Sequence, residues 1–186
     1  MIQSKVNNTF KELNIINYKS NNNYTNFLIC NNINNYKKGL KTALKLYNSF
    51  NFDTLIFKIE FPFSEENMFN NLENTLNTLN KFMDICKLKK PLNMKKTLYK
   101  DNNNLKETIT FYWDLSNENI KIKTLFKEML FLKDDGFSAL FSSVFFLDTK
   151  NHILFNFYDD KIIKILANNN VYFNKICKKY KKLIIH

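Results

Sequence analysis

Val144-Phe145-Phe146-Leu147-Asp148, Ile153-Leu154-Phe155-Asn156-Phe157-Tyr158 and Ile162-Ile163-Lys164-Ile165-Leu166 are three short runs dense in β-branched and aromatic residues. Turn-forming residues stand between them, Thr149-Lys150-Asn151 in the first gap and Asp159-Asp160 in the second. Such short connections suit hairpins and leave no room for a crossover helix, so an antiparallel meander is expected. Upstream, Thr54 to Phe61 alternates strictly, with Leu55, Phe57, Ile59 and Phe61 on one side and Ile56, Lys58 and Glu60 on the other. That period of two predicts a half-buried strand, which Pro62 ends. Met94 to Tyr99 and Leu105 to Trp113 read as two further strands joined through Asp101-Asn102-Asn103-Asn104. Phe27-Leu28-Ile29-Cys30 follows the Asn-rich stretch from Asn17 to Asn26 and suits a short buried strand.

Between these runs the apolar spacing changes to that of helices. Ile2, Val6, Phe10 and Leu13 predict an amino-terminal helix, and Tyr36, Leu40, Ala43, Leu44, Tyr47 and Phe50 a second with Lys37, Lys38, Lys41 and Lys45 opposite. Ser64 is placed to cap a third, with Glu65 and Glu66 in its first turn and a stripe of Met68, Leu72, Leu76, Leu79, Phe82 and Met83 running to about Cys86. Ile122, Leu125, Phe126, Met129 and Leu130 form a fourth, stopped at Lys133-Asp134-Asp135-Gly136. A last helix is expected to present Phe173, Ile176, Cys177, Tyr180, Leu183 and Ile184 to the core. The expected fold class is α+β: a mainly antiparallel sheet with helices packed against it, and a carboxyl-terminal meander followed by a helix. No linker or internal repeat interrupts the chain, so residues 1–186 are read as one domain.

The 186 residues carry a formal net charge of +11 without a single Arg, so every positive side chain apart from histidine is a Lys. A basic balance points towards nucleic acid, yet Lys is a solvated point charge that lacks the guanidinium fork used on phosphate and guanine. Abundant Asn, Ile, Lys and Phe are also what an AT-rich genome writes. Cys30, Cys86 and Cys177 are odd in number and far apart in apolar contexts, which suits reduced thiols rather than disulfides or a metal knuckle. The start, Met1-Ile2-Gln3-Ser4-Lys5, leads into polar sequence rather than a signal-type apolar run, and Phe137 to Leu147 is about half the ~20 residues of a membrane span. A soluble cytoplasmic protein is expected, with no membrane partner and no cofactor.

The meander residues quoted above, from Val144 to Asn151 and from Ile153 to Asp160, together with Lys178-Lys179-Tyr180, carry a resemblance to the bacterial family called domain of unknown function 3885. Members show an aromatic strand, a short Lys/Asn turn, a strand ending in Tyr-Asp-Asp-Arg-Gly, an isoleucine-rich strand and a helix with a late Tyr. Asn26 to Phe61 is similar to the family's early strand, helix and strand. Here Lys161-Ile162 replaces Arg-Gly, Lys164 stands at the next acidic position and Leu183 at a late Trp. The resemblance implies a shared fold and brings no activity with it.

Two local features remain. Tyr158-Asp159-Asp160 before Lys161 resembles a carboxylate hairpin of the kind that holds two Mg²⁺ ions, with Asp114 as a conceivable partner, although paired acids at a strand end more often bond nearby backbone amides. Lys178-Lys179-Tyr180-Lys181-Lys182 is the densest basic cluster, read as a solvated helix face or a contact for phosphate or an acidic partner. Tyr112, Trp113, Tyr158 and Tyr172 are candidate base-stacking residues, with the core as the commoner destination. His152 falls in a predicted tight turn, which suits an exposed side chain rather than a catalytic base, and two lone glycines, Gly39 and Gly136, exclude a Gly-rich phosphate loop. The expected function is therefore a non-enzymatic protein-interaction module of the immunity or antitoxin type. Lysine-mediated nucleic-acid binding is the alternative, and a metal-dependent enzyme built on Asp159 and Asp160 is the third reading.

Overall fold

Branching at Cβ and aromatic bulk favour the pleated backbone, and six of the runs read as strands become strands in the computed structural model, while of Phe27 to Cys30 only Phe27 and Leu28 are described, both in a strand. The structure describes residues 24–28, 36–63, 68–101, 104–131, 144–157, 162–167 and 170–185. The elements run β1 (Tyr24–Leu28), α1 (Tyr36–Tyr47), β2 (Thr54–Pro62), α2 (Met68–Cys86), β3 (Asn93–Asp101) and β4 (Asn104–Asp114). They continue with α3 (Ile122–Phe131), β5 (Val144–Asp148), β6 (Ile153–Phe157), β7 (Ile162–Ala167), α4 (Asn170–Lys179) and β8 (Ile184–Ile185). The architecture is α+β, one sheet in the order β3-β4-β2-β5-β6-β7-β1-β8 with every neighbouring pair antiparallel.

Register follows the hydrophobic alternation. Leu55 lies opposite Trp113 and Phe146, and Phe146 opposite Phe155, which in turn faces Ile165. These side chains share one face of the sheet, and Ala43 and Leu46 of α1, Leu79 and Phe82 of α2, Leu125, Phe126 and Met129 of α3 and Ile176 of α4 join the same buried cluster. All four helices among the described residues thus cover one face. Phe57 stacks on Phe82 with ring centroids 4.1 Å apart, and Phe126 stacks on Phe155. Tyr47 stands edge-on to Phe126, Phe146 and Phe155.

The opposite face is buried as well at its centre. Ile56, Tyr112, Phe145, Leu147, Leu154 and Leu166 form a second apolar cluster there. β2 is half-buried as its alternation predicts only in its second half, where Ile59 is buried between part-buried Lys58 and exposed Glu60; Thr54 to Phe57 are all buried. Central strands enclosed on both faces read as continuous apolar runs, as β5 and β6 do, whose five residues are each buried.

Two other expectations are corrected. α4 stops at Lys179; a 3₁₀ turn at Lys181–Leu183 follows, and Ile184-Ile185 forms β8 against Asn26 and Phe27. A pair of β-branched residues prefers a strand to the last turn of a helix. β1 begins at Tyr24, within the stretch read as an Asn-rich loop, because Tyr24 and Thr25 pair with Leu166 and Ile165. The expected helix near the amino terminus, the cap at Ser64, the stop at Gly136 and Cys30 lie outside the described residues.

The turn from β5 to β6 is held by two carboxylates. Asp148, fully buried, accepts hydrogen bonds from Asn51 N (3.2 Å), Asn151 N (2.9 Å) and Asn151 Nδ2 (2.8 Å). Asp53 accepts from the backbone and hydroxyl of Thr149 and from Thr54 Oγ1. His152 completes the turn with a left-handed φ of 55° and an exposed side chain.

Candidate functional site

A cationic groove forms where two helix ends meet. Lysines near a helix carboxyl terminus complement the negative end of its dipole, and both α1 and α4 follow that rule, with Lys45 in the last turn of one and Lys178 and Lys179 in the last turn of the other. The hydroxyl of Tyr180 and Ser49 Oγ are hydrogen-bonded to each other, and Ser49 Oγ also bonds to Lys45 O at 2.9 Å. Since a serine hydroxyl has one proton and donates it to that carbonyl, Tyr180 donates to Ser49. This relay ties the end of α4 to the end of α1 and brings six exposed lysines into one neighbourhood.

Thr42, Lys45, Lys178, Lys179, Lys181 and Lys182 border a recess of ≈ 460 Å³ closed below by Tyr180 and Leu183. A second recess of ≈ 470 Å³ adjoins it along Lys41, Leu44, Lys45 and Lys179. Tyr180 is buried, and Lys179 Nζ lies 5.2 Å from its ring centroid, within cation–π range. None of the six lysines is ion-paired among the described residues, where the three ion pairs are Lys58–Glu60, Lys96–Glu107 and Lys106–Glu60. Of these lysines, Lys178, Lys179, Lys181 and Lys182 were legible as a cluster, whereas Lys41 and Lys45 read only as the solvated side of a core helix.

A second surface lies at the far end of the sheet. β3 is an edge strand that pairs only with β4 among the described residues. By register Met94, Leu98 and Leu105 point to the helix-covered face, yet all three are exposed, as is Leu92 in the approach to β3. Leu72 and Leu76 of α2, expected in the buried stripe, are 55% and 50% exposed, although Leu79 and Phe82 on the same stripe are buried. A period of 3.6 fixes which face is apolar, but not whether another element reaches it. β3 also carries Lys95, Lys96 and Lys100, of which Lys96 is ion-paired to Glu107. The sign of this surface in the sequence is apolar residues at positions where the edge of the sheet leaves them uncovered.

The other sequence candidates separate cleanly. Tyr158, Asp159, Asp160 and Lys161 lie outside the described residues. Asp114, their conceivable partner, accepts hydrogen bonds from Ser116 N (2.9 Å) and Ser116 Oγ (2.6 Å) and so caps the 3₁₀ turn at Leu115–Asn117. Tyr112 and Trp113 are core residues rather than a stacking platform; the Trp113 indole donates to Lys89 O at 2.9 Å. Cys86 is a buried free thiol and burial pushes its pKa up; Cys177, part-exposed, is shifted the same way by the same cause. Among the described residues no group of three or more His, Cys, Asp and Glu is placed to hold a metal ion, and no helix is long and apolar enough to cross a membrane.

No curated protein and no solved structure matches the chain. A family model does match it, over residues 2–186. The chain belongs to the family described as domain of unknown function (DUF3885).

Proposed function

We propose that this chain is a non-enzymatic protein-interaction module whose docking surface is the β3 edge. The observation that carries the reading is exposed Met94 and Leu98 on the helix-side face of β3, flanking Lys96 which is ion-paired to Glu107, with Leu105 exposed on neighbouring β4 and Leu72 and Leu76 exposed on α2 over the same face. A nine-residue edge strand offers backbone donors and acceptors to an added strand, and apolar anchors beside it supply the contact area that specific partners use. The occupant that fits is an extended segment of a partner protein, apolar towards the helix side to meet Met94 and Leu98. On the other side it is acidic, opposite the exposed Lys95. Immunity and antitoxin proteins act by binding of this kind alone. A cytoplasmic setting, where Cys86 and Cys177 remain thiols, accords with this reading.

The test is affinity capture from the native host's lysate after nuclease treatment, washed at rising salt, with the unaltered protein beside a Met94→Lys/Leu98→Lys variant. A stoichiometric protein that survives moderate salt and is lost from the edge variant is the expected result. Retention of that protein by the edge variant, or retention of no protein at all, rules the edge out as the docking surface. Both substituted positions are exposed, so the variant's folded stability stays within about 0.5 kcal/mol.

A further inference from the structure

We propose that the lysine groove between α1 and the turn after α4 is a second, separate binding site, and that its ligand is the phosphate backbone of nucleic acid, held without regard to base sequence. Six exposed lysines from two distant parts of the chain converge there without ion-pair partners among the described residues. Like charges gathered in this way repel one another, and a polyanion relieves that repulsion while releasing its own counterions.

The chemistry of the groove narrows the ligand. Its charge comes only from Lys, which meets phosphate as a point charge and lacks the fork that reads guanine. Its one central aromatic, Tyr180, is buried and its hydroxyl is engaged with Ser49, so no ring is free to stack on a base. A protein partner, even an acidic one, draws its affinity from buried apolar or aromatic anchors, and the groove exposes none: Leu44 and Leu183 are part-buried and pack against the core. Charge without anchors and without base contacts is the signature of backbone binding.

Fluorescence anisotropy of a labelled mixed-sequence duplex of about 20 base pairs, titrated at several salt concentrations, tests the site. Three paired variants each remove two positive charges: Lys41→Gln/Lys45→Gln and Lys181→Gln/Lys182→Gln in the groove, and Lys89→Gln/Lys90→Gln in the exposed loop between α2 and β3 as the control. Each groove pair is expected to weaken binding and to flatten the slope of log K against log salt by roughly two, while the control pair leaves the slope unchanged. Equal changes in all three variants would reduce the effect to net charge and overturn the proposal, as would the absence of binding at low salt. Poly-glutamate is the competitor that separates the polyanions. If it displaces the duplex as well as unlabelled duplex of equal charge does, the groove is an acidic-partner site and the assignment to nucleic acid fails.

Discussion

The centre of the sheet and its β3 edge are built from the same kinds of residue and end in opposite situations. Phe155 and Leu154 in β6 are buried on the two faces of one strand, whereas Met94 and Leu98 in β3 share the helix-side face with Phe155 and stay exposed. An apolar side chain on a strand is therefore core or docking surface according to how many layers reach it, not according to its own character. The same holds along α2, where Leu79 and Leu76 lie on one stripe and differ from buried to half-exposed.

The sharpest break of that comparison is a pair of truncations. Phe155→Ala removes a ring packed against Tyr47, Phe126 and Phe146, and is expected to cost about 3–5 kcal/mol in a urea denaturation. Leu98→Ala is expected to cost less than about 0.5 kcal/mol. Equal losses would mean that the edge is as enclosed as the centre.

A second, smaller effect reads the helix–sheet interface by pH. Burial pushes the Tyr47 phenol from its ordinary 10.0 up to about 12. The folded state thus holds the neutral form more tightly than the unfolded state does. The stabilisation is complete below pH 10 and is lost as pH rises from 10 towards 12. The loss is on the order of 2–3 kcal/mol, and Tyr47→Phe should flatten the alkaline decline by that amount relative to the unaltered protein. An unchanged alkaline slope in Tyr47→Phe would place that ring in water.

A third effect belongs to the groove. Tyr180→Phe deletes the hydrogen bond to Ser49 and is expected to lower stability by about 1 kcal/mol. With the relay cut, the turn that carries Lys181 and Lys182 is less firmly held to α1, so amide exchange should speed up at Leu183, whose N–H bonds to Tyr180 O, before it does in β6. Uniform acceleration across both would place the relay within the global core.

What was legible in the sequence follows the same division. The meander, the β3–β4 hairpin and three of the helices could be read from periods of 2 and 3.6, because each depends on local alternation. Strand order could not, since it depends on pairings such as Tyr24 with Leu166 that leave no local trace. The end of α4 was misread because Leu183 and Ile184 sit at helical spacing after Tyr180, while the strand that claims Ile184 is β1, at the other end of the chain. Four of the groove's six lysines were visible as a run. The rest, Lys41 and Lys45, became part of the groove only through the Tyr180–Ser49 contact, which no spacing announces. The β3 edge was not legible as a surface, since Met94 and Leu98 on β3 and Leu105 on β4 look like core in any window of sequence.

The position of β1 in the sheet has a consequence for synthesis. Its neighbours are β7 and β8, far downstream in the chain, so β1 is made well before either strand that pairs with it. β3 and β4 can zip as soon as both have emerged, and the meander soon after its third strand, but β1 must wait until β7 has emerged before it can pair. A nascent chain stalled before Ile162 would hold a finished β3–β4 hairpin and a β1 without its sheet partners, and at that stage the growing protein is most dependent on chaperones.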